Sequence, residues 1–278
     1  MAWRAVGAAA LAMCFAVTLT FLALPLVALF TQVPLRDVPS LLGDQAVQDA
    51  LAVTARTNAI ANALILGFGT PTAWILATRR FRGRALAVTL VELPLVLPPA
   101  VAGIGLLAAF GVAGLVGPGL KDAGIVLPFS QWAVVLAITF VASPFYIRQA
   151  IAAFEGVDPM LLGTARTLGA GPLRTFARIA LPLAAGGLAA GWVLAFARGV
   201  GEFGATIIFA GNVHGQTQTL TLAVYEELES NFDIALSIGI LLVVLSAMVL
   251  ISYKLLIAWR SSTSTSLSAF ARSPSTSR

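Results

Sequence analysis

Six long apolar segments constrain this chain more than any other feature of its sequence. A helix needs about 20 mainly apolar residues to cross the ~30 Å hydrocarbon core of a membrane. Segments of roughly this length cover residues 6–30, 57–78, 86–111, 131–150, 182–204 and 234–257. The pattern predicts an all-α membrane protein with six transmembrane helices.

The composition agrees with lipid as the main solvent of the chain. The 278 residues are 59% hydrophobic and 10% charged, and the mean hydropathy is +0.93. An ordinary soluble domain has about 25% charged residues, so this chain has too few charges to cover a soluble surface of its size. Soluble and disordered classes are therefore excluded, and a single cysteine excludes a disulfide scaffold.

The basic residues predict the orientation of the helices. With both termini on the cytoplasmic side, 13 of the 17 Lys and Arg residues fall in inner segments, including a cluster over 79–84. The last outer segment contains Glu226, Glu227, Glu229 and Asp233 without a basic residue. Membrane proteins concentrate Lys and Arg on cytoplasmic loops, so both termini are predicted to be cytoplasmic. The net charge of +5 then needs no nucleic-acid partner.

The sequence divides into three parts. Residues 1–50 hold the first helix and its outer loop, residues 51–257 hold the other spans and a long cytoplasmic loop at 151–181, and residues 258–278 are rich in Ser, Thr and Arg. The last part cannot bury apolar area and is predicted to be disordered. One histidine, His214, excludes a multi-His metal site, and with one cysteine no active site is evident, so the chain is expected to bind no cofactor and to catalyse no reaction.

The cytoplasmic loop 151–181 carries the strongest functional signal. Asp158 followed by Pro159 is typical of a helix start, and Gly169 is typical of a helix end. Apolar residues recur at helical spacing between these points, at Leu161, Leu162, Ala165 and Leu168. The pattern predicts two helices joined by a glycine elbow, with an apolar stripe that needs a protein partner. A loop resting on the bilayer is the alternative.

This loop resembles the signature of ABC importer permeases, which reads Glu-Ala-Ala, three residues, Gly, nine residues and Ile-x-Leu-Pro. Gly163, Thr164 and Ala165 stand at the first three positions, so the Glu and one Ala are replaced. The resemblance implies that the loop forms a coupling helix that docks into a groove of an ATPase subunit. The implied coupling residues are Pro159, Leu161, Leu162, Gly163, Ala165, Leu168, Gly169, Ile179, Leu181 and Pro182.

Further stretches narrow the resemblance, which covers about residues 50–256, to the molybdate importer permeases. They are residues 93–103, 197–206 and 210–220, and sulfate and tungstate permeases share parts of them. The resemblance implies a type I ABC importer permease in a prokaryotic cytoplasmic membrane. Its implied partners are a second copy of the chain, two ATPase subunits that bind ATP and Mg, an extracytoplasmic molybdate-binding protein and membrane lipid. Tungstate or sulfate remains an alternative substrate.

The third and fifth spans contain the candidate pathway residues. Pro98 and Pro99 interrupt the backbone hydrogen bonds of the third span, which is tolerated in lipid only where protein or a water-filled cavity satisfies the freed groups. The third span is therefore expected to face the interior. Glu92, six residues before Pro98, is predicted to be functional or paired, and a snorkelling surface position is equally open. In the fifth span Arg198 and Glu202 share one helix face, either as an internal ion pair or as a source of positive potential for a passing anion.

Residues around this pair suggest a gate and an outer mouth. Gly201 and Gly204, with Gly199, predict close packing of the fifth span near a dimer axis. Phe203 is interpreted as a hydrophobic gate or as an ordinary packing aromatic. The polar stretch 211–221 is expected at the outer mouth, where four residues could donate hydrogen bonds to an oxyanion. Those four residues are Gln216, Thr217, Gln218 and Thr219. His214 is expected to meet only water, with contact to the binding protein as the alternative.

An ion-coupled secondary transporter is the competing class. It predicts internal repeats and paired carboxylates near the membrane midplane. Only Glu92 and Glu202 qualify as such carboxylates, and no internal repeat is visible. The sequence therefore favours a permease whose energy comes from a partner.

Overall fold

The chain is helical throughout the residues that the computed structural model describes, which are 2–32 and 38–270. Thirteen α-helices occur in this part of the chain. In order they are α1 (Ala2–Gln32), α2 (Val38–Leu41), α3 (Gln45–Thr78), α4 (Arg84–Val96), α5 (Pro99–Phe110), α6 (Gly117–Asp122), α7 (Gln131–Glu155), α8 (Pro159–Thr167), α9 (Pro172–Thr175), α10 (Leu181–Val200), α11 (Gly204–Phe209), α12 (Leu220–Ser230) and α13 (Phe232–Phe270). A π-helical turn, Phe176–Ala180, joins α9 to α10.

Five helical stretches are long and apolar enough to cross a membrane, and a bent pair raises the count to six if it forms one span. Four of the five are in α1, α3, α7 and α13, and the fifth runs from α9 through α10. The all-helical class is thus confirmed. The segment 258–278 was expected to be unstructured, and α13 continues through its first part to Phe270, while residues 271–278 lie outside the described part.

The third predicted span, 86–111, is wrong as a single helix. It consists of α4 and α5, whose axes turn by 118° at the break between them. Leu97 and Pro98 have extended backbone conformations, and Pro99 begins the new helix. Two consecutive prolines have no N–H to donate, and a residue before proline avoids the helical region, so one helix cannot run through this point.

The bent pair nevertheless connects the two ends of α7. Arg84, at the start of α4, places a guanidinium nitrogen 2.8 Å from a carboxylate oxygen of Glu155 at the end of α7. Just before the start of α7, the Phe129 N–H donates to the Phe209 carbonyl at 3.4 Å. The 25 residues of α7 correspond to about 37 Å at 1.5 Å per residue. The pair, with α6, therefore carries the chain from one end of α7 to the other.

The core of the protein surrounds α7, which lies between α3 and α10. The Tyr146 side chain is fully buried there, and its hydroxyl lies 2.5 Å from that of Thr70. Gly69 of α3 and Gly191 of α10 face the same tyrosine. A Cβ on Gly69 would be 2.9 Å from the ring, and a Cβ on Gly191 would be 3.1 Å from the Tyr146 carbonyl oxygen. Because Gly69 and Gly191 have no side chain, α3 and α10 can pack closely against α7.

The start of α3 lies well before the predicted edge at residue 57. Asp44 caps the helix by accepting from the Ala46 N–H at 2.8 Å. The added turns carry buried Val47, Ala50 and Val53. They pack against α12 and α13, so the contact with distant helices extends α3 beyond the uniformly apolar segment.

Candidate functional site: a glycine elbow, a buried ion pair and the outer loop

The loop 151–181 forms the predicted helix, elbow and second helix. Asp158 accepts from the Met160 N–H at 2.8 Å, and Pro159 occupies the first turn of α8. Gly169 has φ +82°, its N–H donates to the Arg166 carbonyl at 3.0 Å, and the Ala170 N–H donates to the Ala165 carbonyl at 2.9 Å. These two bonds form a Schellman motif, which ends a helix on a left-handed residue. Glycine adopts that conformation without steric cost.

Aromatic packing attaches the second half of the loop to the core. The Phe176 ring lies 5.5 Å from Trp74 and 6.0 Å from Phe154, between ring centroids. Ile179 is half-buried in the same cluster, and Leu181 begins α10 beside it. The exposed Pro182 lies in the first turn of α10, directly after the π-helical turn Phe176–Ala180. The elbow is therefore held between α8 and a fixed aromatic anchor.

The apolar stripe of α8 is divided between two environments. Leu162 and Ala165 are buried against the rest of the chain, whereas Leu161 and Leu168 are exposed. Met160 is also exposed, at 75%, and Leu168 reaches 82%. The expectation that the whole stripe needs a partner is corrected, because its inner half packs within the chain. An exposed apolar surface formed by Met160, Leu161 and Leu168 remains.

Gly163 is exposed, and its position has room for a side chain. A Cβ built there meets nothing within 4 Å. The replacement of the signature Glu therefore has no packing explanation in this structure.

Arg198 and Glu202 form a buried ion pair inside the chain. Arg198 Nη2 lies 2.6 Å from Glu202 Oε2, and the Glu202 side chain is 1% exposed. The other carboxylate oxygen accepts from the Ala205 N–H at 2.7 Å, and Thr221 donates to the Glu202 carbonyl at 2.7 Å. Glu202 thus joins the end of α10, the start of α11 and the start of α12. This geometry is that of the internal ion pair considered above.

The glycines and aromatic residue beside the pair contact other parts of the same chain. A Cβ on Gly204 would be 2.8 Å from Pro99 Cβ. A Cβ on Gly199 would be 2.8 Å from Asn58 Oδ1. Gly201 is exposed, and Phe203 lies 5.2 Å from Tyr225 between ring centroids. Gly199 and Gly204 therefore serve packing within the chain, and close packing of the fifth span near a dimer axis stays a prediction.

Glu92 is paired with a basic residue of the neighbouring helix. Its Oε1 lies 3.6 Å from Arg148 Nε of α7, and both side chains are exposed by more than a third. An ion pair with this exposure contributes little free energy. Pro98 is exposed at the bend beside Pro99, so the bent pair offers an open surface near the Arg198–Glu202 pair.

The outer loop is organised by Glu226, which sequence reasoning treated only as part of an acidic segment. Its carboxylate accepts from Asn212 at 2.7 Å and from Gln218 at 2.6 Å, and it lies 2.8 Å from His214 Nε2. The expectation that His214 meets only water is therefore wrong. The polar spacing of residues 212–218 indicated a loop, but not that its side chains converge on a carboxylate of α12.

Most of the proposed oxyanion donors are used inside the protein. Thr217 is fully buried and accepts from the Val213 N–H at 3.0 Å. The Thr219 hydroxyl is 3.0 Å from that of Thr221, and the Gln218 amide donates to Glu226. Only Gln216 is exposed among the four. The prediction that all four could serve an oxyanion is corrected.

Two buried amides on α3 were missed. Asn62 Nδ2 donates to Asn58 Oδ1 at 2.9 Å, while Asn58 Nδ2 and Asn62 Oδ1 have no hydrogen-bond partner among the described residues. Two asparagines four residues apart in an apolar segment were the available signal. No group of three or more His, Cys, Asp or Glu side chains suited to a metal ion occurs within residues 2–32 and 38–270.

Comparison with known proteins gives a consistent set of matches. Residues 69–261 match the family described as "Binding-protein-dependent transport system inner membrane component". The molybdenum transport system permease protein ModB of Mycobacterium bovis is 42% identical over 235 residues, which are 84% of this chain and 88% of the relative. ModB of Escherichia coli strain K12 is 44% identical over 177 residues, 63% of this chain and 77% of the relative.

A solved structure shares the fold at low sequence identity. It is a chain of a bacterial alginate ABC transporter in complex with an alginate pentasaccharide-bound periplasmic protein. The TM-score is 0.72 at 16% identity, and the match covers 90% of this chain and 95% of that chain.

Proposed function

Because this chain belongs to the family of binding-protein-dependent transport system inner membrane components, we propose that it is the permease subunit of an ATP-driven molybdate importer. The observation that carries this proposal is the 42% identity to a molybdenum transport permease over 84% of the chain. As a member of this family the chain is a non-catalytic membrane subunit. ATP and Mg are then bound by a partner ATPase.

The proposed topology has six spans with both termini in the cytoplasm. The ion pair between Arg84 and Glu155 supports it, because it joins the arginine cluster at 79–84 to the loop end of α7. The bent pair then counts as one crossing, since it carries the chain to the opposite end of α7. The positive-inside rule makes the arginine-rich face cytoplasmic.

The coupling step is proposed to act through α8. Two copies of the chain form the pathway, and each α8 presents Met160, Leu161 and Leu168 to one ATPase subunit. ATP closes the ATPase subunits and draws the two α8 helices together. The aromatic anchor at Phe176 transmits this movement to α3 and α7, because the Phe176 ring packs against Trp74 and Phe154.

The pathway itself is proposed to hold its substrate weakly. Conduction requires binding that is weak enough for release. Glu202 offsets the charge of Arg198 at 2.6 Å, so the pair adds little net attraction for a dianion. An external binding protein supplies the affinity, and α4–α5 and α10–α11 open alternately to the two sides of the membrane.

The test is uptake of labelled molybdate into proteoliposomes that contain this chain, its ATPase and its binding protein. ATP-dependent uptake that tungstate competes with and sulfate does not would support the proposal. Sulfate uptake instead would retain the permease assignment and replace the substrate. Uptake by this chain alone, driven by an ion gradient, would overturn the proposal in favour of a secondary transporter.

A further inference from the structure

An arginine-lined cavity lies behind α8, on the same face as the coupling loop. Its volume is about 710 Å³. The turn between α3 and α4, the end of α7 and one side of α8 form its walls. The charged residues that line it are Arg79, Arg80, Arg84, Arg166 and Glu155. We refer to it as the arginine cavity.

The positive charge of this cavity is only partly compensated. Arg84 is satisfied, since it pairs with Glu155 at 2.8 Å and donates from Nε to the Leu76 carbonyl at 2.7 Å. Arg79, Arg80 and Arg166 have no ion pair within the described part of the chain. Four guanidinium groups and one carboxylate leave a net charge of +3 in the cavity.

Gly163 explains why the compensation is incomplete. It lines the cavity at the position where the importer signature has Glu. A carboxylate there would face the arginines, and the open space around Gly163 would accept it. With glycine in its place, no carboxylate of α8 neutralises the exposed Arg79, Arg80 and Arg166.

The partner that covers the exposed apolar surface approaches from the other side of α8. Pro159, Gly163 and Arg166 line the cavity and are spaced by four and three residues, so they share one helix face. Leu161 and Leu168, seven residues apart, lie on the opposite face and are exposed. A protein docked on that surface leaves the arginine cavity to a small ligand.

We propose that the arginine cavity binds an oxyanion of the phosphate class. The planar guanidinium group of arginine can direct two parallel N–H groups at two oxygen atoms of such an anion. The resulting hydrogen bonds are strengthened by the opposite charges. Basic pockets on the cytoplasmic side of membrane proteins also accept lipid phosphate groups. Two sources share this chemistry: the headgroup of an anionic phospholipid and a free oxyanion from the cytoplasm. Either one bridges Arg166 of α8 to Arg79 and Arg80 of the α3–α4 turn.

The cytoplasmic position of the cavity rests on the proposed topology, but the binding itself does not depend on transport. The full-length chain is placed in nanodiscs, and no uptake is measured. A chain that binds the anion and fails to carry molybdate would refute only the proposed function. A chain that carries molybdate without binding the anion would refute only this inference.

One variant pair tests the missing carboxylate directly. Gly163→Glu supplies the absent charge, and Gly163→Gln has nearly the same shape without it. In phosphatidylcholine nanodiscs, calorimetric titration with inorganic phosphate measures the free-oxyanion source. In nanodiscs that also contain phosphatidylglycerol, native mass spectrometry measures retained lipid. We expect Gly163→Glu to weaken one of these associations by about tenfold and Gly163→Gln to change it less than twofold.

A second pair controls for charge in general. Arg166→Gln removes a cavity guanidinium, whereas Arg174→Gln removes an exposed arginine of the same loop that does not line the cavity. The proposal is supported if Arg166→Gln loses anion binding and Arg174→Gln retains it. Whether phosphate binding or lipid retention is lost shows whether the anion is a free oxyanion or a lipid headgroup. Equal anion binding by the two arginine variants, or by the two Gly163 variants, overturns the proposal.

Discussion

Gly169 provides the sharpest test of the elbow, because its substitution isolates a backbone effect. Its φ is +82°, and a Cβ built there meets nothing within 4 Å. Alanine therefore introduces no clash and costs only the left-handed conformation, about 1–2 kcal/mol. Since 1.4 kcal/mol is a factor of ten in an equilibrium constant, the Gly169→Ala elbow should open roughly 5- to 30-fold more often.

Two further substitutions extend this prediction to a ranking of elbow stability. Gly169→Asn should cost less than Gly169→Ala, because asparagine tolerates the left-handed region better. Gly163→Ala, in the same helix with an ordinary backbone conformation and open space, should stabilise α8 by up to about 1 kcal/mol. The expected order of elbow stability is wild type, Gly169→Asn and then Gly169→Ala, with Gly163→Ala above wild type.

Hydrogen exchange in nanodiscs measures this order. The Ala170 N–H is bonded to the Ala165 carbonyl across the elbow at 2.9 Å, so its exchange rate follows local opening. Peptides covering the loop should exchange about 5- to 30-fold faster in the Gly169→Ala variant, while peptides from α7 stay unchanged. Equal protection in Gly169→Ala and wild type would refute the conformational argument. A larger loss in Gly169→Trp than in Gly169→Ala would show that bulk matters, contrary to the open space at this position.

Three other substitutions test packing and charge by thermal unfolding. Gly103→Ala should destabilise by about 1–3 kcal/mol, because its Cβ would be 2.9 Å from both the Ala205 carbonyl oxygen and Ile208 Cβ. Glu202→Ala should cost about 1–3 kcal/mol, since it removes the buried carboxylate that pairs with the partly exposed Arg198 and accepts from the Ala205 N–H. Phe176→Ala should cost about 2–3 kcal/mol by breaking the aromatic anchor.

The Gly103 and Glu202 substitutions each have a control within the chain. Gly105→Ala lies on the same helix in open space and should be neutral or slightly stabilising. Adding Arg198→Met to Glu202→Ala should recover part of the loss, because the partly exposed guanidinium of Arg198 is then no longer left without its partner. If the double variant is no more stable than Glu202→Ala, then the ion pair does not explain the cost.

Sequence features that act over a few residues were sufficient to predict the apolar spans and the elbow. Asp158, Pro159 and Gly169 occupy the start and end that their types indicate, because caps, fixed φ angles and left-handed residues are local properties of the backbone. The Arg198–Glu202 pair was predictable only in part, because Glu202 lies beyond the end of α10 and reaches Arg198 from the following turn.

Only the tertiary structure decided which distant groups meet. Prolines predicted a distortion of the third span, but its 118° turn depends on α5 packing against α11. His214 and Gln218 contact Glu226, and Gly163 lines a cavity with arginines of another loop. Neither arrangement follows from the residues nearby in sequence. Apolar periodicity and capping depend on neighbouring residues, whereas the direction of a broken helix and the partner of a polar side chain depend on how the helices pack.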